Sequence, residues 1–373
     1  MTNNVNLLGV IQNWEFQERK GSAFFRLFYE LIESGHMSDV ASFELPKIIR
    51  KLFFLSNFSP NKERWIVNDQ LDVRRYRVAS EFAARSISEF SSDFNAIIQI
   101  GSDFDIGSHA RQAFPEVPLF SFHDNNFESF AKSLRPGVLS GRRRIRVHNL
   151  ERDVYNELSA VFTMSKTLRK SFIEDFGLPE EKVIYAGFGT PFEAQNLDHK
   201  IYSEKNILFV ASHSFEAKGG KDLLKAFRIV RISHPDAHLT LVGRDWGIDE
   251  PGVTCIGFLD KRISGDLERY QDCFKKASLF VLPSHKEAFG EVFIEAMSYG
   301  VPCIGTRTGV MPEIIEDNAA GFVVDSGDVD GLAKTMLLML NSEAELERMG
   351  RNGLGAVHDE YQWSNVISRI VSS

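Results

Sequence analysis

The chain has 373 residues, 43% of them hydrophobic and 25% charged, the proportions of a folded polypeptide with apolar material for two cores. Its formal net charge is -8, from 43 basic and 51 acidic residues, which argues against a general nucleic-acid binder, because phosphate backbones demand a positive field. The three cysteines, Cys255, Cys273 and Cys303, form no Cys-x-x-Cys pair and no cluster with histidine, so a disulfide framework or structural zinc is not expected and a reducing compartment fits.

Short apolar runs alternate with longer amphipathic ones from end to end. The first half offers strands at Asn6–Ile11, Val40–Leu45, Trp65–Asn68, Ala96–Gly101, Pro118–His123, Ala160–Ser165 and Lys182–Gly187. The second half offers Asn206–Ser212, His238–Gly243, Val253–Phe258, Leu279–Ser284, Pro302–Thr306 and Gly321–Asp325. Most are continuous runs without strict alternation, the pattern of strands buried on both faces of a parallel sheet. Intervening stretches such as Lys221–His234 and Gly331–Leu340 carry helical spacing of apolar residues. The 31 phenylalanines are scattered along the chain and read as core filling. Strand–helix repetition of this kind predicts an α/β fold of two doubly wound, Rossmann-like domains.

The joint falls in Gly187–Glu204, rich in Gly, Pro and polar residues and without a clear period. This gives an expected first domain at 1–190 and a second at 191–357, with a C-terminal helix at about 358–373 packing back on the first. Met1–Val5 lacks a basic segment and apolar core of a secretory signal, and no run approaches the ~20 apolar residues of a spanning helix. A cytoplasmic protein is expected. Arg142–Arg146 (RRRIR) reads either as a solvated helix end or as a basic run for an anionic membrane surface, a peripheral contact on its inner face.

The most informative stretch is Ser284–Gly300, SHKEAFGEVFIEAMSYG, which leaves a buried strand, turns and becomes a helix. Glu287 lies on the loop, and Glu295 lies inside a helix that is apolar almost all round. A carboxylate there costs several kcal/mol of desolvation unless something donates hydrogen bonds to it. A vicinal diol such as that of a ribose would match, and so would a Lys or Arg from elsewhere; spacing alone leaves both open. Phe289, Gly290 and Glu291 open the helix, where Gly permits close backbone approach and the free amides suit a phosphate.

The run EAFGEVFIEAMSYGVPCIGTRTGVMPEII, from Glu287 onward, resembles the signature of the retaining glycosyltransferases of family 4, the group 1 transferases. Gly300, Pro302, Gly309, Pro312, Glu313 and the closing strand Gly321–Val324 fall where that pattern expects them. The resemblance implies the GT-B fold, with two domains facing across a cleft and the donor held by the second. It implies that Glu287 holds hydroxyls of the donor sugar, Glu295 the ribose, and the amides of Phe289, Gly290, Glu291 and Val292 the diphosphate. Asn206–Leu224 resembles the family's strand–loop–helix in which an Arg and a Lys clamp the pyrophosphate. Lys218 matches the Lys; His213 stands at the Arg position, where a neutral imidazole donates one bond in place of a permanently charged fork. The turn at Gly257-Phe258-Leu259 is where the base is expected.

The first half matches less closely. Gly21, in Lys20-Gly21-Ser22, resembles what remains of the family's glycine loop, and His123 its strand-end histidine near the sugar, with the structural alternative beside it. Asp103-Phe104-Asp105 is similar to the metal-binding pair of the other transferase fold but follows a strand of the wrong architecture, so it reads as a loop. The resemblance therefore implies a retaining hexosyl transfer from a nucleoside diphosphate, a UDP-sugar before a GDP-sugar, to a glycan, lipid-linked or small-molecule acceptor, in polysaccharide or glycolipid assembly. No metal and no cofactor are expected, and Lys218, Glu287 and His123 are the catalytic candidates. Rivals are an epimerase or phosphorylase on the same fold and a non-catalytic nucleotide-sugar binder. A nicotinamide oxidoreductase is disfavoured because no Gly-x-Gly-x-x-Gly follows a strand.

Overall fold

Apolar runs of four to six residues form most of the strands, and their burial on both faces selects parallel pairing. The structure is a computed structural model that describes residues 5–13, 23–90, 93–190, 192–198, 200–212, 214–287 and 289–373. The chain divides into two compact units, Met1–Gly187 with Val366–Ser373, and Phe188–Asn365.

In the first unit the order is β1 (Leu7–Gln12), α1 (Ala23–Glu33), β2 (Met37–Phe43), α2 (Lys47–Ser56), α3 (Lys62–Gln70), α4 (Val73–Ile87), β3 (Ala96–Ile100) and α5 (Gly107–Ala113). There follow β4 (Leu119–His123), α6 (Phe127–Lys132), α7 (Gly141–Glu157), β5 (Ala160–Thr163), α8 (Lys166–Phe176) and β6 (Val183–Tyr185). All neighbours pair in parallel, in the order β2-β1-β3-β4-β5-β6. Every residue of β3 and β5 is buried, whereas β2, at the edge, is partly exposed. Helix starts carry side-chain caps, Asn61 for α3, Asp72 for α4, Asn126 for α6 and Ser165 for α8, each accepting from a first-turn amide.

The second unit continues with β7 (Asn206–Ala211), α9 (Gly220–Ser233), β8 (His238–Gly243), β9 (Val253–Gly257), α10 (Ser264–Lys276), β10 (Leu279–Val281) and α11 (Glu291–Ser298). It ends with β11 (Cys303–Thr306), α12 (Met311–Ile315), β12 (Gly321–Val324), α13 (Val329–Leu340), α14 (Glu343–Asp359) and α15 (Trp363–Val371), whose last residues belong to the first unit. Its strands are also all parallel, in the order β12-β11-β10-β7-β8-β9. Phenylalanines do fill the interiors: Phe28, Phe104, Phe122, Phe162 and Phe172 in the first unit, Phe209, Phe227, Phe274, Phe280 and Phe293 in the second, are all buried.

Twelve of the thirteen expected strands are present within a few residues of their expected bounds. The exception is Trp65–Asn68, which lies inside α3. A three-residue apolar run does not discriminate strand from helix, and here the Asn61 cap with Glu63 in the first turn starts a helix instead. The aperiodic stretch after Gly187 is tied to the second unit: the Thr190 amide donates to the Tyr361 carbonyl (3.0 Å) and the Gln195 amide to that of Ser298 (2.9 Å).

One glycine joins the two halves of the second sheet. Gly219 ends the loop after β7 in a left-handed conformation (φ 75°), and a Cβ built on it would lie 2.0 Å from the Pro283 carbonyl oxygen, which follows β10. Gly219→Ala should therefore destabilise the fold by more than about 2 kcal/mol, from left-handed strain plus a backbone clash. An unchanged urea midpoint for this variant would mean that the loops do not meet as closely as described.

Candidate active site

In an open parallel sheet the loops at the carboxyl ends of two adjacent strands diverge where the strand order reverses, leaving room for a ligand. In the second unit the chain builds outward from β7 through β8 and β9, then returns to the other side of β7 with β10. The switch point is thus between β7 and β10. The loop after β7 is a tight turn, with the Lys218 amide donating to the Ser214 carbonyl (2.9 Å) and the Gly220 amide to that of Phe215 (2.8 Å). It delivers Lys218 to the opening. The loop after β10 delivers Glu287, and the His285 amide ties this loop to the Ala217 carbonyl at 2.9 Å.

Lys218 Nζ and Glu287 Oε2 meet at 2.5 Å, with the Ser284 hydroxyl donating to the same oxygen at 3.4 Å. The carboxylate is the more enclosed partner, its side chain 11% exposed against 30% for the lysine. A cation and an acceptor-only group, on separate loops and both still open to solvent, can serve the anionic and the hydroxylated parts of one ligand.

Beside them α11 begins at Glu291, with Gly290 at its N-cap in the left-handed region (φ 83°). A helix start leaves amides without intrahelical acceptors and carries partial positive charge, a ready anion site. The Phe289 ring is buried against Phe188, 5.0 Å between centroids, so its side chain anchors the turn. Val292 is half-buried. Beyond β9, Phe258 is 61% exposed while Leu259 is buried, which presents one aromatic face at the turn.

Glu295, on α11, is buried, and the donors it requires come from the protein. Lys261 Nζ donates to Oε1 and the Tyr270 hydroxyl to Oε2, each at 2.6 Å. Lys261 also lies 4.4 Å from the centroid of the Tyr270 ring. Burial first, and the Glu295 carboxylate second, push the Tyr270 phenol well above its ordinary pKa, so it stays a donor. Sequence reasoning missed Lys261 and Tyr270. The available signal was the cost of the Glu295 carboxylate itself, which demanded donors without saying from where.

The other expected residues are placed differently. Gly21 and His213 lie outside the described residues. His123, at the end of β4, is entirely buried in the first unit. Its Nε2 is 2.7 Å from the Ser121 hydroxyl, and its ring packs edge-on against Tyr155 and Phe172. Asp105 accepts from the Gly107 amide (2.8 Å) at the start of α5, a loop-capping role, while Asp103 lines a cavity of about 290 Å³ with Gln12, Arg75, Asn125 and Glu151. No group of three or more His, Cys, Asp or Glu among the described residues could hold a metal ion.

Comparison with known proteins follows this geometry. Residues 192–355 match the family described as glycosyl transferases group 1. The chain is 30% identical over 180 residues to the N-acetyl-alpha-D-glucosaminyl L-malate synthase of Bacillus anthracis, covering 46% of each chain. It is 24% identical over 254 residues to the capsular polysaccharide biosynthesis glycosyltransferase CapM of Staphylococcus aureus, covering 62% of this chain and 65% of that one. The chain thus spans about half to two thirds of the length of these curated relatives. Among solved structures, the sucrose-phosphate synthase of Thermosynechococcus elongatus superposes with a TM-score of 0.69 at 16% identity, over 99% of this chain and 98% of that one. A trehalose-6-phosphate protein of E. coli bound with UDP-2-fluoro glucose gives a TM-score of 0.69 at 10% identity, again over 99% and 98%. These structural likenesses show the fold, which is of the GT-B class.

Burial gives His123 a measurable signature. Loss of water holds its pKa down at about 3, against an ordinary value near ~6.5. The folded protein cannot take up the proton that the unfolded chain accepts, so stability is present above the unfolded pKa and is lost as pH falls from there towards the folded one. Between pH 7 and pH 5 this one ring should remove about 2 kcal/mol of folding stability. Comparison of urea unfolding of wild type and His123→Gln at the two pH values should show a smaller loss in the variant; equal losses would mean that the ring is protonated in the fold.

Proposed function

From the premise that residues 192–355 place the chain among the group 1 glycosyltransferases, we propose that it moves a hexose-type sugar from a nucleoside diphosphate to an acceptor hydroxyl with retention of anomeric configuration. The observation that supports this reading most directly is the Lys218–Glu287 pair at the switch point, beside the amino end of α11. A nucleotide-sugar is a diphosphate bearing polyols at both ends, and the site offers a cation and helix amides between two carboxylates.

In this reading the diphosphate takes the Lys218 ammonium and the amides of Gly290, Glu291 and Val292, while Glu287 accepts from hydroxyls of the sugar. Glu295 accepts from the ribose, with Tyr270 retained on its other oxygen and Lys261 displaced. The base rests against the exposed face of Phe258, with Leu259 beneath the turn. His213 joins Lys218 at the diphosphate. The bond from the anomeric carbon to the diphosphate oxygen breaks, the bond to the acceptor oxygen forms on the same face, and the acceptor proton passes to the departing diphosphate. Lys218 acts where negative charge develops, the kind of preorganised electrostatic stabilisation that lowers such barriers most. No double displacement through an enzyme carboxylate is invoked.

The finer assignments belong to the same proposal. UDP-sugars are the expected donors before GDP-sugars, and a glycan, lipid-linked or small-molecule acceptor the partner, in polysaccharide or glycolipid assembly. The protein works in the cytoplasm with a peripheral contact on the inner membrane face; no helix among the described residues is long and apolar enough to cross a membrane.

Calorimetry with UDP and a panel of UDP-sugars separates the two carboxylates. Glu295→Gln should weaken free UDP and the UDP-sugar alike, by roughly tenfold for a lost charge-assisted hydrogen bond, whereas Glu287→Gln should weaken only the sugar-bearing ligand. UDP binding untouched by Glu295→Gln would sink the ribose assignment.

The cationic lysine and the helix amides are assigned the charge of the leaving group without a divalent ion. Turnover should therefore survive EDTA. Activity that collapses in chelator and returns with manganese would refute this and bring Asp103 and Asp105 back into the mechanism.

A further inference from the structure

We propose that the face formed by α2 and α3 of the first unit docks on an anionic lipid surface. Of the large apolar side chains most exposed among the described residues, half lie between Ile48 and Ile66. None of the residues of α2 is buried. Ile48, Leu52 and Leu55, at spacing i, i+4, i+7, form one stripe, 69%, 61% and 63% exposed. A soluble protein rarely leaves such a stripe in water unless something covers it.

Around the stripe the aromatic residues are fixed in place. Trp65 of α3 stacks on Phe54 with 4.1 Å between ring centroids and meets Phe58 edge-on at 5.1 Å. Its indole N–H donates to the Phe54 carbonyl at 2.5 Å. Phe58 is itself 64% exposed. A rigid cluster of this kind enters an acyl boundary with little ordering left to be done.

Charge selects the occupant. The chain carries a net -8, yet Lys47–Gln70, the span of α2 and α3, holds five basic residues against two acidic ones, and Arg135–Arg146 hold five basic and none acidic. Lys47 and Lys51 flank the apolar stripe on α2, and Arg50 pairs with Glu44. The Arg64 guanidinium donates to the Gly137 carbonyl and that of Arg143 to the Asn68 side chain, so α3 lies alongside the start of α7. There Ile145 is also exposed, among Arg142 and Arg146. Lysines along one edge of an apolar helical stripe are the composition of an interfacial helix on anionic lipid. At ten residues, about 15 Å, α2 can lie on such a surface but cannot cross it. A symmetric contact between two copies would instead set Lys47 and Lys51 of each against a like-charged rim.

The test needs neither donor nor acceptor, so its outcome is separate from that of the sugar-transfer reading. The full chain is sedimented with vesicles of phosphatidylcholine alone and of phosphatidylcholine with phosphatidylglycerol, at low and high salt. Binding is expected only to the anionic vesicles and should weaken with salt. Leu52→Glu with Leu55→Glu should lower it by roughly tenfold or more, and Lys47→Glu with Lys51→Glu by about as much, with melting temperature unchanged. The lysine pair alters only exposed charge, so it decides the matter even if the leucine pair fails to fold. Wild type that ignores anionic vesicles, or folded variants that bind as well as wild type, overturns the proposal. So does light scattering that shows a dimer dissolved by these substitutions without any binding to lipid.

Discussion

The ion pair between Lys218 and Glu287 bridges strands β7 and β10, which are neighbours in the sheet although 69 residues separate the two side chains. Everything at the candidate site is arranged around that bridge. Gly219 lies against the Pro283 carbonyl on one side of it, the His285 amide reaches the Ala217 carbonyl on the other, and α11 starts at Glu291, four residues beyond Glu287. The pair itself stabilises the fold modestly, on the order of 1 kcal/mol for partly exposed groups. Its importance is positional. A lysine and a carboxylate held together in the free protein are both where a charged, hydroxylated ligand must reach.

Glu295 obeys a different constraint. Its carboxylate is buried on an apolar helix and both oxygens are already taken, one by a half-exposed lysine and one by an enclosed phenol. The two donors are unequal. Tyr270 cannot leave without exposing a buried hydroxyl and breaking its packing against Phe192 and Phe274, whereas Lys261 can return its ammonium to water. A ligand hydroxyl replacing Lys261 therefore leaves the carboxylate hydrogen-bonded throughout, and the desolvation cost of several kcal/mol is met before and after the exchange.

Much of this was legible in the sequence because parallel sheets write themselves plainly. Runs such as Ala96–Ile100 and Leu279–Val281 are apolar at every position but Gln99 and recur at the spacing of strand–helix units. Trp65–Asn68 was misread because three apolar residues fit either element, and the decision rested on the Asn61 side chain that caps α3. The candidate carboxylates were visible from their place in one short segment. Their partners were not: Lys261 and Tyr270 lie 34 and 25 residues away in the chain, and only the crossover through β10 brings them to Glu295. His123 is the converse case: a strand-end histidine followed by Asp is easily picked out of the sequence, whereas its packing among Tyr155 and Phe172 comes from the place of β4 inside the sheet.

The two carboxylates thus differ in what a ligand must displace, and this orders their use in the proposed reaction. Glu287 has one strong partner, and that partner is the cation which the diphosphate itself would claim. As Lys218 turns from carboxylate to phosphate, Glu287 is left with the Ser284 hydroxyl and with acceptor capacity that only the sugar's hydroxyls can fill. Binding of the diphosphate and recognition of the sugar are then coupled through a single side chain. A nucleoside diphosphate without its sugar would take the lysine and leave a largely enclosed carboxylate short of donors, a penalty that the complete donor avoids. The same coupling acts in reverse after transfer. Once the sugar has left, Glu287 regains its claim on Lys218, and the competition favours release of the diphosphate.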